Sequence, residues 1–157
     1  MKTDKKTLES IKKILEKNKL LTLSTFDKNI PHSNTAFYTF DNKFNLYIWS
    51  EEGTAHGKNM LKNKKVAVNI FDSSQKWGSL LQGIQVRGVA KQIRNIGMVK
   101  VGLLYLKRFP AAIKIVKNPA RFHDKIFESK LYKIELREIK VFDEKNFGKG
   151  GFREVYL

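Results

Sequence analysis

Apolar residues near the start of the chain recur at the spacing of a helix, and further along they alternate with polar residues as in strands. A first helix is predicted between Thr3 or Asp4, which can act as a cap, and Asn18, which can end it. Its apolar positions, three or four residues apart, are Leu8, Ile11, Ile14 and Leu15. This spacing places them on one face of the helix.

Six later segments are predicted to be strands, because they are short apolar or alternating runs bounded by turn residues. They are Leu20–Phe26, Pro31–Phe40, Phe44–Ser50, Val66–Phe71, Leu80–Ile93 and Leu131–Phe142. Gly83 and Gly88 predict bends or bulges in the fifth of these strands. In the sixth, the apolar alternation changes phase, which predicts a bulge near Arg137 and Glu138.

Between the fifth and sixth strands the apolar period becomes that of a helix. Two helices are predicted there, broken at Phe109-Pro110 because proline interrupts a helix. Their apolar positions are Met98, Val101, Leu104 and Tyr105, then Ile113 and Val116. The whole pattern predicts a mainly β fold with flanking helices, in which six antiparallel strands form a small closed barrel. No repeat or linker interrupts it, so residues 1–157 are expected to form a single domain.

Composition narrows the classes of protein to consider. A chain of 157 residues with 41% hydrophobic and 11% aromatic residues is typical of one globular domain. Cysteine is absent, which excludes disulfides, metal–thiolate sites and thiol nucleophiles. The apolar runs are too short to cross a bilayer, and the start of the chain lacks the apolar stretch of a secretory signal. We therefore expect a cytoplasmic location and no membrane partner.

The charge is strongly positive and unevenly distributed. The formal net charge is +16, and residues 91–130 alone hold ten Lys and Arg against two Asp and Glu. Such a stretch is compatible with binding to nucleic acid, to an anionic membrane surface or to a phosphorylated small molecule. It is equally compatible with a solvated helix face. We expect mainly a solvated face and no specific binding of nucleic acid.

A second feature predicts an anion site. The third strand is followed by Thr54 at the expected N-cap of a short helix that runs through Leu61. Free backbone N–H groups and the helix dipole attract anions at such a position. The Thr54 hydroxyl, His56 and Lys58 add donors or charge within the first turn, an arrangement that suits a phosphate. An ordinary capped helix with exposed Lys and His side chains is the structural alternative.

Other chemical signals are weak. The histidines (His32, His56 and His123) do not have the spacing of metal ligands, so no metal site is predicted. The segment Gly148–Gly151 has the wrong spacing for a P-loop. Trp49 and Trp77 are expected to lie partly in the core, where an aromatic side chain could also flank a flat ring. No residue stands out as a general acid or base, so no catalytic residue is assigned.

The order of several short motifs resembles that of the split-barrel flavoproteins related to pyridoxamine 5′-phosphate oxidase. The motifs are Tyr47-Ile48-Trp49-Ser50, then Thr54-x-His56, then Gln82-Gly83-Ile84-Gln85-Val86-Arg87-Gly88. The chain is similar in particular to a small bacterial subfamily, through Asn34-Thr35-Ala36-Phe37-Tyr38, Arg108-Phe109-Pro110, Glu135-Leu136-Arg137-Glu138-Ile139-Lys140 and Phe147-Gly148-Lys149. The resemblance covers about residues 5 to 153.

This resemblance implies a six-stranded antiparallel split β-barrel that binds FMN at the interface of a homodimer. Thr54, His56 and Lys58 would hold the phosphate. The isoalloxazine ring would lie against two strand segments, with the side chains of Asn34, Thr35, Ala36, Phe37, Ile48, Trp49 and Ser50. Gln82, Gln85 and the C-terminal segment would complete the site, in part from the partner chain.

The implied activity is that of a flavin-dependent oxidoreductase acting on a small molecule that the sequence does not identify. The basic residue that the oxidase has on its second strand is not found in Ser33–Phe37, and His56 stands where the oxidase has lysine. Oxidation of pyridoxamine 5′-phosphate is therefore not expected. Two alternatives remain open at this point: a basic nucleic-acid-binding barrel, and a flavin carrier or sensor without turnover.

Overall fold

A computed structural model describes residues 3–94, 96–111 and 129–157. Its elements follow the predicted order closely, with one additional short helix and one additional strand at the C-terminal end. They are α1 (Lys5–Lys17), β1 (Leu20–Asp27), β2 (Ile30–Phe40), β3 (Leu46–Glu51), α2 (Ala55–Lys62), β4 (Lys65–Phe71), β5 (Gln82–Ile93), α3 (Ile96–Arg108), β6 (Ser129–Asp143), α4 (Glu144–Phe147) and β7 (Phe152–Tyr156).

The strands form one antiparallel sheet that closes on itself. Their order is β3-β2-β1-β4-β5-β6-β7, and β3 also pairs with the N-terminal half of β6. This last pairing turns six strands into a closed barrel, while β7 is added at the outside of the C-terminal half of β6. The predicted fold class, a six-stranded antiparallel barrel with flanking helices, is confirmed. Strand β7 was not predicted.

Helix α1 has the caps that the sequence predicts. The Asp4 carboxylate accepts a hydrogen bond from the Thr7 backbone N–H (2.9 Å), which satisfies a free amide of the first turn. At the other end, the Asn18 side chain donates to the Ile14 carbonyl (2.8 Å). Ile11, Ile14 and Leu15 are buried in the main core, so the predicted apolar face is the one that packs.

The predicted bulge in the last strand is present. Arg87 lies opposite Glu138 and Gly88 lies opposite Leu136, so Arg137 is the extra residue of β6. Gly88 is needed at this point, because a Cβ there would lie 2.7 Å from the Glu135 carbonyl oxygen. At Gly83 the pairing is regular, and no bulge occurs there.

Two strands begin later than the sequence predicts. Strand β3 starts at Leu46 instead of Phe44, because the Asp41 carboxylate accepts hydrogen bonds from the Lys43 and Asn45 amides and holds a longer turn. Phe44 has a positive φ of 62° within that turn. Strand β5 starts at Gln82, and the preceding loop exposes Trp77 fully. The expectation that Trp77 lies partly in the core is therefore wrong.

Strands β2 and β3 stay together for only a short distance. They pair over three positions, with Tyr38 opposite Ile48 and Phe40 opposite Leu46. Before this segment, residues 30–37 of β2 pair only with β1, and after it residues 49–51 of β3 pair only with β6. The barrel is thus split between these two strands at one end.

Helix α3 packs beside this split and ends at Arg108, before Pro110, as predicted. The second helix predicted after Pro110 lies outside the described residues. None of the helices that the structure describes is long and apolar enough to cross a membrane.

Arg108 joins the end of α3 to the end of α1. Its Nη2 donates to the carbonyls of Leu15 (2.6 Å) and Asn18 (2.5 Å). Its guanidinium also lies over the Tyr38 ring, 4.8 Å from the centroid, in a cation–π contact. Arg108 therefore departs from the solvated face expected for residues 91–130, because it supplies the donors that the last carbonyls of α1 need.

We predict that Arg108→Ala lowers the free energy of unfolding by about 3 kcal/mol, since hydrogen bonds to a charged group are worth about 1.5–3 kcal/mol each. Urea denaturation followed by circular dichroism measures the change. Lys107→Ala is the matched control, because Lys107 is exposed on the same turn and such substitutions change stability by about 0.5 kcal/mol or less. Equal stabilities of the two variants would contradict the anchoring role of Arg108.

Candidate functional site

A cleft of about 390 Å³ lies where β2 and β3 separate. Its walls come from both strands, from the start of α2, from α3 and from the first residue of β6. The lining residues are Asn34, Thr35, Ala36, Phe37, Trp49, Ser50, Glu51, Thr54, His56, Tyr105 and Ser129. The cleft therefore occupies the space that a continuous β2–β3 ladder would fill.

Most of the residues singled out in the sequence meet in this cleft. Those that line it are Asn34, Thr35, Ala36, Phe37, Trp49, Ser50, Thr54 and His56. Ile48 does not line it, because its side chain is buried in the barrel core. Lys58 is exposed on α2 outside the cleft.

Gln82 and Gln85 lie elsewhere on the same chain. Gln82 lines a second cavity of about 210 Å³ and donates to the Asp143 carboxylate (2.9 Å). That cavity lies between α1, the start of β5 and the end of β6, with Lys13, Lys17 and Lys145 at its rim. Gln85 is exposed on the outside of the sheet, opposite Asn69 and Lys140. Within one chain neither glutamine reaches the cleft.

One end of the cleft is formed by the N-terminus of α2. Thr54 is the N-cap: its hydroxyl oxygen accepts from the Gly57 amide (3.2 Å) and its hydrogen is donated to the Glu51 carbonyl (2.6 Å). The amides of Ala55 and His56, at the first two helical positions, make no backbone hydrogen bond within the described parts of the chain. Two N–H donors and the positive end of the helix dipole are thus available there.

Gly57 permits the close approach of the preceding turn to this helix. A Cβ at this position would collide with the Glu51 carbonyl oxygen and would lie 3.0 Å from both the Glu52 carbonyl oxygen and the Thr54 hydroxyl oxygen. The turn that leads from β3 into α2 can therefore fold this closely against the helix only when position 57 is a glycine. This contact fixes Thr54 at the mouth of the cleft.

His56 is half-buried beside Thr54. Its Nε2 lies 3.3 Å from the Thr54 hydroxyl oxygen. Burial, and to a smaller extent the nearby His32, lower the pKa of His56 below its usual range, while Glu51 opposes this shift. The imidazole is therefore mainly neutral at pH 7 when the cleft holds no anion.

The cleft wall also contains an unsatisfied polar group. The side-chain oxygen of Asn34 is buried and has no hydrogen-bond partner. Leaving a buried acceptor unpaired costs about 1–3 kcal/mol. Asn34 lines the cleft from β2, so a ligand with a donor at its edge would supply the missing partner.

Aromatic side chains form the opposite wall, and one of them, Tyr105, was not predicted from the sequence as a site residue. Its hydroxyl donates to the Tyr47 carbonyl (2.7 Å) and lies 3.1 Å from the Phe37 carbonyl oxygen, so it joins β3 to β2 across the split. The Trp49 and Tyr105 ring centroids are 6.4 Å apart. Tyr105 was visible only as an apolar position of a predicted helix, and no local signal indicates that this helix packs on the cleft.

The groups in the cleft suit an anion and a flat polar ring more than they suit a metal ion. Within residues 3–94, 96–111 and 129–157, no group of three or more His, Asp or Glu side chains is placed to hold a metal ion. The described cleft residues also include no Lys or Arg.

Comparisons with known proteins agree with this architecture. The family model described as pyridoxamine 5′-phosphate oxidase matches residues 7–140. A UPF0306 protein of Yersinia enterocolitica is 30% identical over 141 residues, which is 88% of this chain and 87% of that protein. A UPF0306 protein of Pasteurella multocida is 28% identical over 131 residues, 82% of this chain and 78% of that protein.

Solved structures with the same fold include proteins described as binding or storing heme. A heme binding protein from Mycobacterium smegmatis has a TM-score of 0.75 at 12% identity, with 99% of this chain and 59% of that chain covered, so the present chain spans little more than half of that protein. HutZ, described as a heme storage protein from Vibrio cholerae, has a TM-score of 0.70 at 15% identity, with 85% and 93% covered. At these identities the likeness concerns the fold alone.

We predict that Gly57→Ala lowers the free energy of unfolding by about 1–3 kcal/mol, as overpacking does in a tight contact. Gly53→Ala, in the same turn, is the control: no atom lies within 4 Å of its added Cβ, and we expect stability within about 1 kcal/mol of the wild type. Thermal and urea unfolding of both variants check this. If Gly57→Ala is as stable as Gly53→Ala, the close contact between the turn and the helix does not require glycine at position 57.

Proposed function

Because the chain belongs to the pyridoxamine 5′-phosphate oxidase family and, within it, to the UPF0306 proteins, we propose that it binds FMN in the cleft between β2 and β3. We further propose that it acts as a flavin-dependent oxidoreductase. The supporting observation is that an anion site and an aromatic-lined cleft adjoin each other. Thr54 and the free amides of α2 lie at one end, and Trp49 and Tyr105 flank the space beside it.

The phosphate of FMN fits the N-terminus of α2. The Ala55 and His56 amides would donate to its oxygens, with the helix dipole adding a favourable field. The hydrogen of the Thr54 hydroxyl is already given to Glu51, so this side chain would help mainly by fixing the turn. Recognition at this end uses neutral donors, which suits a phosphorylated flavin over a larger polyanion.

The isoalloxazine ring fits the remainder of the cleft. Trp49 and Tyr105 provide apolar surface for its faces, and Asn34 offers a side-chain amide to its polar edge. When bound, FMN supplies hydride or single-electron transfer, and the protein supplies orientation and exclusion of water. No side chain of the cleft is required as a general acid or base in this scheme.

A second copy of the chain would close the cleft. The outer face of β4–β7 carries an aromatic row, in which Phe71 lies beside Gly83, Gly83 beside Phe142, and Phe142 beside Phe152. Gln85, Phe71 and Phe152 are exposed on this face. Lys140 lies over the Phe142 and Phe152 rings, so this face combines aromatic rings with polar side chains. Such a face fits the cover of a flavin site, and we propose a homodimer that brings Gln85 to the partner's cleft.

Heme is the competing ligand, because two structural neighbours are described as heme-binding or heme-storing proteins. The observation that favours it here is the neutral imidazole of His56 in the cleft wall, since neutral histidine is a common heme ligand. A visible absorption spectrum separates the two, because a heme gives a Soret band and a flavin gives its own two-banded spectrum. A complex that forms only with heme would contradict the flavin proposal.

We predict that the purified protein takes up FMN and that Thr54→Ala weakens FMN by about 0.5–2 kcal/mol while leaving riboflavin unchanged, because losing this N-cap loosens the turn that presents the Ala55 and His56 amides to the phosphate. Quenching of flavin fluorescence measures both affinities. Lys62→Ala is the control, since Lys62 lies at the other end of α2 in an ion pair with Asp27. Equal losses for FMN and riboflavin would place the phosphate elsewhere, and no uptake of either flavin would refute the cofactor.

We predict a dimer of about twice the 18.2 kDa chain mass at micromolar concentration, measured by light scattering. Phe152→Glu on the proposed interface should shift it to monomer, because it places a charge in an apolar contact. Leu61→Glu is matched to it, since Leu61 is similarly exposed but lies on α2. A monomeric wild type, or an equal effect of both substitutions, would contradict this interface.

A further inference from the structure

Two imidazole rings lie side by side where the cleft meets α2. His32 on β2 and His56 in the first turn of α2 have ring centroids 6.2 Å apart and an interplanar angle of 10°. His32 alternates with Asn34 and Ala36 along β2, so it shares their face of the strand. The pairing joins residues that are distant in the sequence, and the phosphate site predicted from the sequence did not include His32.

The surrounding hydrogen bonds fix which atom of His56 can change its protonation. The Thr54 hydroxyl donates its only hydrogen to the Glu51 carbonyl. With that hydrogen engaged, the Nε2–H tautomer of His56 is the one that can donate to the Thr54 oxygen (3.3 Å). In this tautomer Nδ1 is the atom that can gain or lose a proton.

The surroundings of His56 disfavour its charged form in the free protein. Burial and the adjacent His32 both disfavour the charged form of His56, and Glu51 alone acts in the other direction. Lys58 follows His56 by two residues on α2 and is exposed. On the neighbouring elements, Glu52 lies 4.0 Å from Lys130, and Asp27 on β1 is paired with Lys62 of α2.

We propose that His32 and His56 form a proton-linked clamp for the ligand phosphate, in which the pair takes up a proton when the phosphate binds and releases it when the phosphate leaves. The proposal rests on the binding of FMN in the cleft. A phosphate dianion at the N-terminus of α2 would stabilise the charged form of His56, which burial and the adjacent His32 disfavour in the free protein. A lysine in the same place would bind the phosphate with no comparable dependence on pH.

The direction of the pH dependence follows from linkage. Since the phosphate stabilises the protonated pair, the imidazole pKa is higher in the complex than in the free protein. FMN affinity is therefore greatest at low pH and falls as the pH rises between these two values, by up to about tenfold per pH unit for one proton. The second ionisation of the phosphate, near pH 6, acts in the opposite direction, so the range to examine begins above it.

The experiment compares FMN with riboflavin from about pH 6.5 to 8.5, a range chosen around the ordinary histidine pKa. Calorimetry in two buffers with different ionisation enthalpies gives the number of protons taken up. For the wild type we expect about half to one proton per FMN and none per riboflavin. For His32→Gln and His56→Gln we expect FMN affinity about tenfold weaker at the low end of the range, converging on the wild type at the high end.

The control and the double variant distinguish the clamp from a merely structural role. Lys64→Gln removes an exposed charge just after α2 and outside the cleft, and it should leave proton uptake unchanged, while His32→Gln/His56→Gln should abolish it. If FMN binds without proton uptake, or if the double variant keeps the wild-type pH profile, the clamp is refuted and FMN binding stands. If neither flavin binds to the folded wild type, the proposed function and the clamp both fall.

Discussion

Strands β2 and β3 stay paired from Tyr38 to Phe40 and then separate, and the hydroxyl of Tyr105 contacts backbone on both sides of the gap. Strand edges that separate leave backbone groups without ladder partners, and these must be satisfied in another way. Helix α3 provides this through Tyr105, and Arg108 in turn holds α3 against the end of α1. The cleft therefore depends on a helix that is far from it in the sequence.

The electrostatics of the site differ from those of the molecule. The chain carries a formal net charge of +16, yet the described cleft is lined by no Lys or Arg. Backbone amides at the N-terminus of α2 are the groups offered to an anion at the Thr54 end, with the side chain of His56 beside them. Neutral donors of this kind can discriminate a phosphate by geometry, while the excess of surface charge acts over a longer distance and is screened by salt.

Local sequence patterns were sufficient to predict most of the fold and the Thr54 end of the cleft. The caps of α1, the Thr54 cap and the bulge at Arg137 each follow from a few consecutive residues. Strand β7 was missed because only Val155 is buried in it, so no alternation marks it. Tyr105 and His32 were missed for another reason: their roles arise from contacts with residues 58 and 24 positions away. The position of Gln82, beside Asp143, is likewise set by sheet register that no local pattern contains.

We propose that the gap between β2 and β3 is a flavin site whose phosphate end is the start of α2. A crystal structure of the protein grown with FMN would show whether this is so. We expect the phosphate within hydrogen-bond distance of the Ala55 and His56 amides, and the ring between Trp49, Tyr105 and Asn34. A flavin bound in the lysine-rimmed cavity beside Asp143, or a cleft in which β2 and β3 have closed, would contradict it.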